Sequence, residues 1–575
     1  MAVIKPFHMT DKSIVINLSL SVCDTELKIL ESDGVLQVFR KYLASIDDSS
    51  RDELLLIKRL LKDERQLVDI YKLLFTFPYQ DILKNTEEIR DVLTQREAFY
   101  RFTEELYDFW RHFERYGIIQ KKLRSLDQDN ESLIEVTEIL TKKILALYRK
   151  VTKNISGKAI HVYRQTPAGL NAGLIVSKHP WKMPSIYQGL EGIDVIDTVM
   201  LRTPFIGHSV MNTRSGVFQE SKEFPLLHLH LTARHWLCYP VKVGSLLAYV
   251  YFHRSYLSHG VALSNLFEPA LYKEIQHRSP NLVYVYGDTI ETYDNTYYHD
   301  EEHDIYVGYV SRNPKNDYFG YMKKMLLTLH NVWMIDHGRL PIHGAMVEIQ
   351  MKSGTKKCVT IIGDSGAGKS ETLEALRFLA KDRIKSLSTV YDDMGVFQLE
   401  NGKISSVGTE IGAFIRLDDL ENGYAYKEID RAFFLNPERT NARVILPVST
   451  YETIMRAHPV DICLYANNYD DQSPSIRRFD GVEDALSVFR EGKRKAKGTT
   501  SEMGIVTSFF ANPFGCVQRQ KDTEVLLQSM FTSLFQEGTY VGELRTKLAV
   551  TGKEHEGVLA AAQSLLELID EGDDL

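Results

Sequence analysis

The sequence predicts an α/β protein in three parts. Residues 1–155 read as a helical accessory domain, 156–317 as a β-rich α/β domain, and 318–575 as a P-loop nucleotide-binding domain with a mixed sheet and flanking helices. Three observations carry this. A chain of 575 residues is too long for one ordinary core. Near Ser156 its texture changes from apolar residues at helical spacing to short β-like runs between turn residues. The β-branched run Val359-Thr360-Ile361-Ile362 then enters Gly363-Asp364-Ser365-Gly366-Ala367-Gly368-Lys369-Ser370, and a helical pattern follows.

Composition narrows the class. An apolar content of 44% with 25% charged residues is that of a globular protein. A formal net charge of −8 offers no global attraction to nucleic acid or an anionic membrane, so neither partner is expected. The cysteines (Cys23, Cys238, Cys358, Cys463, Cys516) lie far apart with no C-x-x-C pair, which argues against a zinc knuckle or disulfide framework and fits a reducing compartment. Met1–Thr10 has no long apolar run and no stretch reaches bilayer length, so a cytoplasmic location is expected.

In the first part a strand is expected around Ser13–Leu20. Amphipathic helices follow around Leu54–Leu61 and Leu67–Leu74, then an aromatic-rich face from Phe99 to Phe113, then a helix over Ile134–Tyr148. Aromatics at this spacing read as core rather than a ligand box, leaving the domain for packing or partner binding. In the second part Ala159–Tyr163, Leu174–Ser177, Leu227–Leu231 and Leu246–Phe252 read as strands. His228 and His230 would share a face there, with His235 nearby; a metal site is weighed, and ordinary sheet residues are preferred. His299–Asp304 reads as a solvated loop.

In the third part Met322–Met334 reads as helix and Leu340–Ile349 as a strand. Ser353-Gly354 makes a turn, and Cys358–Ile362 returns into the loop. Glycines there let backbone N–H groups face phosphate oxygens, while the following helix points its positive end at them. Lys369 brings a charge for the β- and γ-phosphates and the Ser370 hydroxyl can hold a divalent cation. Leu387–Val390 reads as a strand ending in Asp392-Asp393, where a Mg²⁺-directed acid belongs. Helices over Thr523–Phe535 and Val558–Ile569 close the chain.

These motifs resemble a known superfamily. Gly363–Glu371, with Ile342-His343-Gly344 before it and Asp392-Asp393 after it, closely resembles the HPr kinase/phosphorylase core. The wider frame resembles ATP-dependent phosphoenolpyruvate carboxykinase. Tyr318–Lys324 is similar to that family's Met-Lys-Lys helix, Thr440–Pro447 to its Asn-x-Arg segment, and Gly498–Phe510 to its nucleotide-side segment. The likeness runs from about Tyr318 to the end and is weak over 160–317. It implies a carboxykinase-like catalytic domain preceded by a carboxykinase-like N-terminal domain.

By position, the resemblance implies that Lys324, His343 and Asp393 surround a transition-metal ion such as Mn²⁺, and that Ser370 and Asp392 hold the Mg²⁺ travelling with ATP. Lys369 and Arg443 would neutralise the transferred phosphoryl group, with Lys427 as a further phosphate-side lysine. A metal-ligating Lys324 must be neutral, which requires a depressed pKa, expected from cationic neighbours. Asp392 or Asp393 could instead serve as base toward an acceptor hydroxyl. The family's carboxylate-binding Gly-Arg-Ser turn aligns with Gly207-His208-Ser209, which lacks the arginine; Arg202 and Arg214 are the available substitutes. The implied activity is an ATP- and divalent-metal-dependent phosphotransferase acting on a small molecule or a protein. The alternatives are a true carboxykinase (oxaloacetate and ATP to phosphoenolpyruvate, ADP and CO₂) and a nucleotide-sensing scaffold whose helical domain engages a protein partner.

Overall fold

A computed structural model describes residues 7–10, 13–17, 25–47, 50–111, 113–118, 133–157, 172–201, 204–214, 217–289, 295–364, 366–379, 382–417, 431–496 and 504–571. The chain forms two compact units, Met1–Val162 and Tyr163–Leu575.

In the first unit the amphipathic repeats become helices, among them Asp33–Ser45, Asp52–Leu60, Glu64–Thr76, Arg96–Arg111 and Leu133–Ser156. Starts are set by caps: Ser32 accepts the Val35 N–H and Asp63 the Gln66 N–H. Leu67, Ile70, Tyr71 and Leu74 share one core with Phe99, Phe102 and Leu106, so the aromatic face is core. The expected opening strand is Ser13–Asn17; it pairs with Phe7–Met9 and, in parallel, with Glu114–Ile118.

The second unit is α/β with mixed sheets. One nine-stranded sheet carries strands between Ala172 and Ser311, and a second carries strands between Leu340 and Arg545. The helix Phe319–Asp336 contributes Met322, Met325, Leu326 and Leu329 to a core that also holds Val241, Val250, Tyr284, Val310 and Val396. The expected 317/318 boundary therefore falls inside one packed unit. A smaller sheet joins Gly412–Arg416, Arg443–Pro447, Phe433–Leu435 and Phe205–Gly207.

Leu227–Leu231 is not a strand. Phe224, Leu226, Leu229 and Leu231 are buried from an irregular turn, while His228 and His230 face solvent and form no metal pair. Asp300, expected in a solvated loop, ends the strand Thr296–Asp300 and is buried, bonded by Tyr187 and His303. Ala159–Tyr163 lies outside the described residues. No described helix is long and apolar enough to cross a membrane.

Candidate active site

The strand Lys356–Ile362 pairs antiparallel with Leu340–Met351 and parallel with Ile462–Asn467, and delivers Gly363 to the start of the loop. The helix Lys369–Leu379 begins as the loop ends. Gly366 and Gly368 have φ of +79° and +98°, conformations that L side chains rarely adopt. A Cβ on Gly368 would also stand 2.6 Å from the Thr546 hydroxyl, which donates to the Ala367 carbonyl. Asn468 donates to the Gly366 carbonyl at 2.9 Å and Arg494 Nε to Asp364 Oδ2 at 2.7 Å. Lys369 is buried at the loop's centre, its Nζ donating to the Gly363 carbonyl at 2.7 Å.

Beside the loop lies a cluster centred on Asp393. Lys323 Nζ approaches Asp393 Oδ2 to 2.7 Å and Lys324 Nζ to 3.2 Å, while His343 Nε2 lies 3.0 Å from Oδ1. One backbone bond ties the cluster to the loop, the Gly363 N–H donating to the His343 carbonyl at 3.0 Å, and a second, from the Gly344 N–H to the Asp393 carbonyl at 3.0 Å, fixes the acidic pair against the histidine strand. The opposite ring nitrogen of His343, Nδ1, donates to the Ala511 carbonyl at 2.8 Å, which leaves Nε2 toward Asp393. Ala511 and Phe510 both hold positive φ (49° and 55°), so this carbonyl is aimed by a strained backbone.

The electrostatics follow from burial and proximity. Burial disfavours charge on Asp393, yet Lys323, Lys324 and His343 hold its pKa well below the carboxylate range. Burial pushes Lys324 down to about 8, with the pull of Asp393 opposed by repulsion from Lys323. The depression expected from cationic neighbours thus comes first from desolvation. Lys323 is held above an ordinary lysine because Asp393 and Glu410 together outweigh its burial. Burial, reinforced by the charge of Asp393, raises Asp392 to about 6, against the pull of Lys369, Lys323 and Arg377. Glu410, 3.0 Å from Lys323, rises to about 7 through burial.

Lys324 and His343 are therefore both in direct contact with Asp393, and Asp392 lies within the field of Lys369. Ser370 is exposed on the first turn of the loop helix. Arg443 stands apart: its guanidinium bonds Asn441 at 3.0 Å and lies 5.3 Å from the Phe414 ring, while Lys323 Nζ lies 5.6 Å from the same ring. Its Nε is buried with no hydrogen-bond partner. Ser365, Lys427 and Arg202 lie outside the described residues. His208 is mostly exposed and sits 3.4 Å from Glu438, so it does not reproduce an arginine clamp. Arg214 does approach the cluster: its guanidinium stacks on Phe514 at 5.3 Å, and Lys324 Nζ lies 4.3 Å from that ring.

The donor set fits the groups the motifs imply. An anionic carboxylate, an imidazole nitrogen fixed by its opposite N–H and a lysine of lowered pKa suit a transition-metal ion. The glycine-shaped loop and Lys369 suit phosphate. Sequence reasoning missed Glu410, Arg494, Asn468 and Thr546, which act on the site from distant positions and belong to no local motif. No protein-family model matches the chain, and no curated protein matches it.

Proposed function

We propose that the second unit is an ATP- and divalent-metal-dependent phosphotransferase of the phosphoenolpyruvate carboxykinase/HPr kinase kind. The observation that carries this reading is Asp393. Two lysines and a histidine converge on one carboxylate, one backbone hydrogen bond from a P-loop. Lys324, His343 and Asp393 would hold Mn²⁺, and Ser370 with Asp392 would hold Mg²⁺; when bound, these ions supply charge compensation on phosphoryl oxygens. Loop amides and Lys369 orient the nucleotide phosphates. Lys323 keeps Asp393 ionised, and the depressed pKa of Lys324 lowers the cost of surrendering its proton.

Acceptor chemistry divides the carboxylates. Asp393 is too weak a base to take a proton from a hydroxyl, whereas Asp392, raised to about 6 in the metal-free chain, is poised to do so near neutral pH where Ser370 holds the Mg²⁺ without it. This favours a hydroxyl acceptor. Arg214 beside Phe514 favours the second reading, a true carboxykinase, because a guanidinium near the cluster could clamp a carboxylate. One assay separates them: ATP turnover with Mg²⁺ and Mn²⁺, with and without oxaloacetate, following phosphoenolpyruvate. Metal-dependent ATP turnover without phosphoenolpyruvate supports the kinase reading, with protein hydroxyls the first acceptors to try. Phosphoenolpyruvate formed in step with oxaloacetate supports the carboxykinase. A chain that binds no ATP overturns both.

A further inference from the structure

A second set of ligand-type side chains gathers around the end of the feeding strand that lies away from the loop. Glu348, Cys358 and His458 bring an oxygen, a sulfur and a nitrogen within 4.8 Å of one another. The arrangement is built by the sheet. Glu348 and Cys358 are direct partners across the antiparallel pair Leu340–Met351 and Lys356–Ile362, so their side chains share a face. His458 arrives on the short strand His458–Pro459, which pairs with Lys403–Gly408. Three residues later Asp461 locks the Cys358 backbone in both directions. Its carboxylate accepts the Cys358 N–H at 2.6 Å, and its own N–H donates to the Cys358 carbonyl at 3.1 Å.

Two details point beyond a chance grouping. His458 Nε2 lies 2.8 Å from the Thr453 carbonyl and so carries the proton, which turns the bare Nδ1 of a neutral ring toward Glu348 Oε2, 4.0 Å away. Burial lowers the pKa of His458, keeping that ring neutral. Ligands about 2.0–2.3 Å from a tetrahedral ion stand roughly 3.3–3.8 Å apart, so only a small inward movement closes the set. Cys358 and His458 are buried, while Glu348 keeps an opening to solvent.

We propose that Glu348, Cys358 and His458 form a zinc-class metal site, with solvent as the fourth ligand. Mixed sulfur, nitrogen and oxygen donors select such an ion over Mg²⁺ or Ca²⁺, which take oxygen. Glu348 also pairs with Lys356 at 3.0 Å and Arg456 at 3.6 Å; both are more than half exposed and can turn to solvent when the ion takes the carboxylate. Binding exchanges the thiol proton of Cys358 for the metal and releases it to solvent. The metal-free thiol holds its proton, because burial, reinforced by Asp461 and Glu348, pushes its pKa up to about 12. The ion would pin three segments of the nucleotide-binding sheet, and its existence does not depend on the phosphotransferase reading.

The test is a Co²⁺ titration of the reduced, chelator-stripped full chain, followed in the near ultraviolet. A thiolate–cobalt charge-transfer band should grow to saturation at one equivalent. It should vanish in Cys358→Ser and persist in Cys463→Ser, a buried thiol on the neighbouring strand. His458→Gln should weaken Co²⁺ binding at least tenfold. Cobalt held by Lys324, His343 and Asp393 gives no such band, because that cluster contains no sulfur. A wild-type chain without the band overturns the proposal whether or not any variant folds; so does a band undiminished in Cys358→Ser.

Discussion

The two units bury different things. Among the described residues of Met1–Val162, the buried polar side chains are Thr103 and Thr152, and each hydroxyl is spent on a helix carbonyl one turn back. The second unit buries Lys323, Lys369, His343, Glu410 and Arg494 around a single loop. Taking charges out of water costs several kcal/mol per ion in typical proteins, and an apolar replacement is often no less stable. The first unit is thus explained by packing, whereas the second holds an arrangement that packing disfavours. Such a cluster, with pKa values pushed in opposite directions, is the arrangement that the proposed phosphotransfer would require.

Lys369→Ala is the strongest way to break this comparison. It should lower ATP affinity or turnover by about 100-fold or more, the scale seen when one preorganised electrostatic contact is lost. Calorimetric ATP binding and a turnover assay check it. Hydrogen exchange of the helix Arg96–Arg111 should be unchanged. Unaltered ATP handling would remove the loop from the site.

Asp393→Asn comes next. It leaves Lys323 and Lys324 without their shared anion and should cost on the order of 3 kcal/mol in the second unit. Metal-dependent turnover should fall by about 100-fold or more, with ATP affinity changed only a few-fold, because the loop is intact. Denaturant midpoints and kcat at saturating Mn²⁺ and Mg²⁺ read both. Full turnover would show that Asp393 is structural only.

Asp392→Asn sharpens the comparison by sign. The folded-state pKa of about 6 lies above the ordinary carboxylate value of 3.8, so the folded chain holds a proton that the unfolded chain releases. This penalty is absent below about pH 4, grows as the pH rises to about 6, and is fully present above that. Without nucleotide or metal, the variant should be more stable than wild type at pH 7 by on the order of 1–2 kcal/mol, and equal to it below about pH 4. Turnover should nevertheless fall. A variant less stable at pH 7 would mean that Asp392 is an ordinary structural acid.

Much of this was legible in local sequence. The loop, its strand and its helix follow from glycine spacing and periodicity, and the strand Ile384–Tyr391 ends at the acidic pair as read. What escaped is non-local. Glu410 lies on no periodic element, and its role depends on a lysine many residues earlier. The partner of His343 is a carbonyl at Ala511, set by backbone strain rather than side-chain identity. Leu227–Leu231 read as a strand because alternating leucines mimic one, yet tertiary packing buries Leu229 and Leu231 from a turn and leaves Leu227 exposed. Widely spaced cysteines argued against a zinc knuckle because zinc signatures are sought as short spacings, whereas the sheet brings Cys358 beside Glu348 and His458 from distant positions.

The smallest effect belongs to the helical unit, and it can sharpen or break the contrast. Tyr71 donates its hydroxyl to Thr103 Oγ1 at 3.0 Å, and Thr103 donates onward to the Phe99 carbonyl at 2.9 Å. Thr103→Val keeps the shape but strands a buried phenol, which should cost about 1 kcal/mol. Adding Tyr71→Phe removes the stranded group, so the double variant should recover most of that loss, a coupling that a mere packing defect would not show. Hydrogen exchange in the helix Arg96–Arg111 reads the local stability, and ATP turnover should not change. A fall in turnover would overturn the division drawn above, because a neutral hydroxyl pair in an apolar core would then be shaping the chemistry of the second unit.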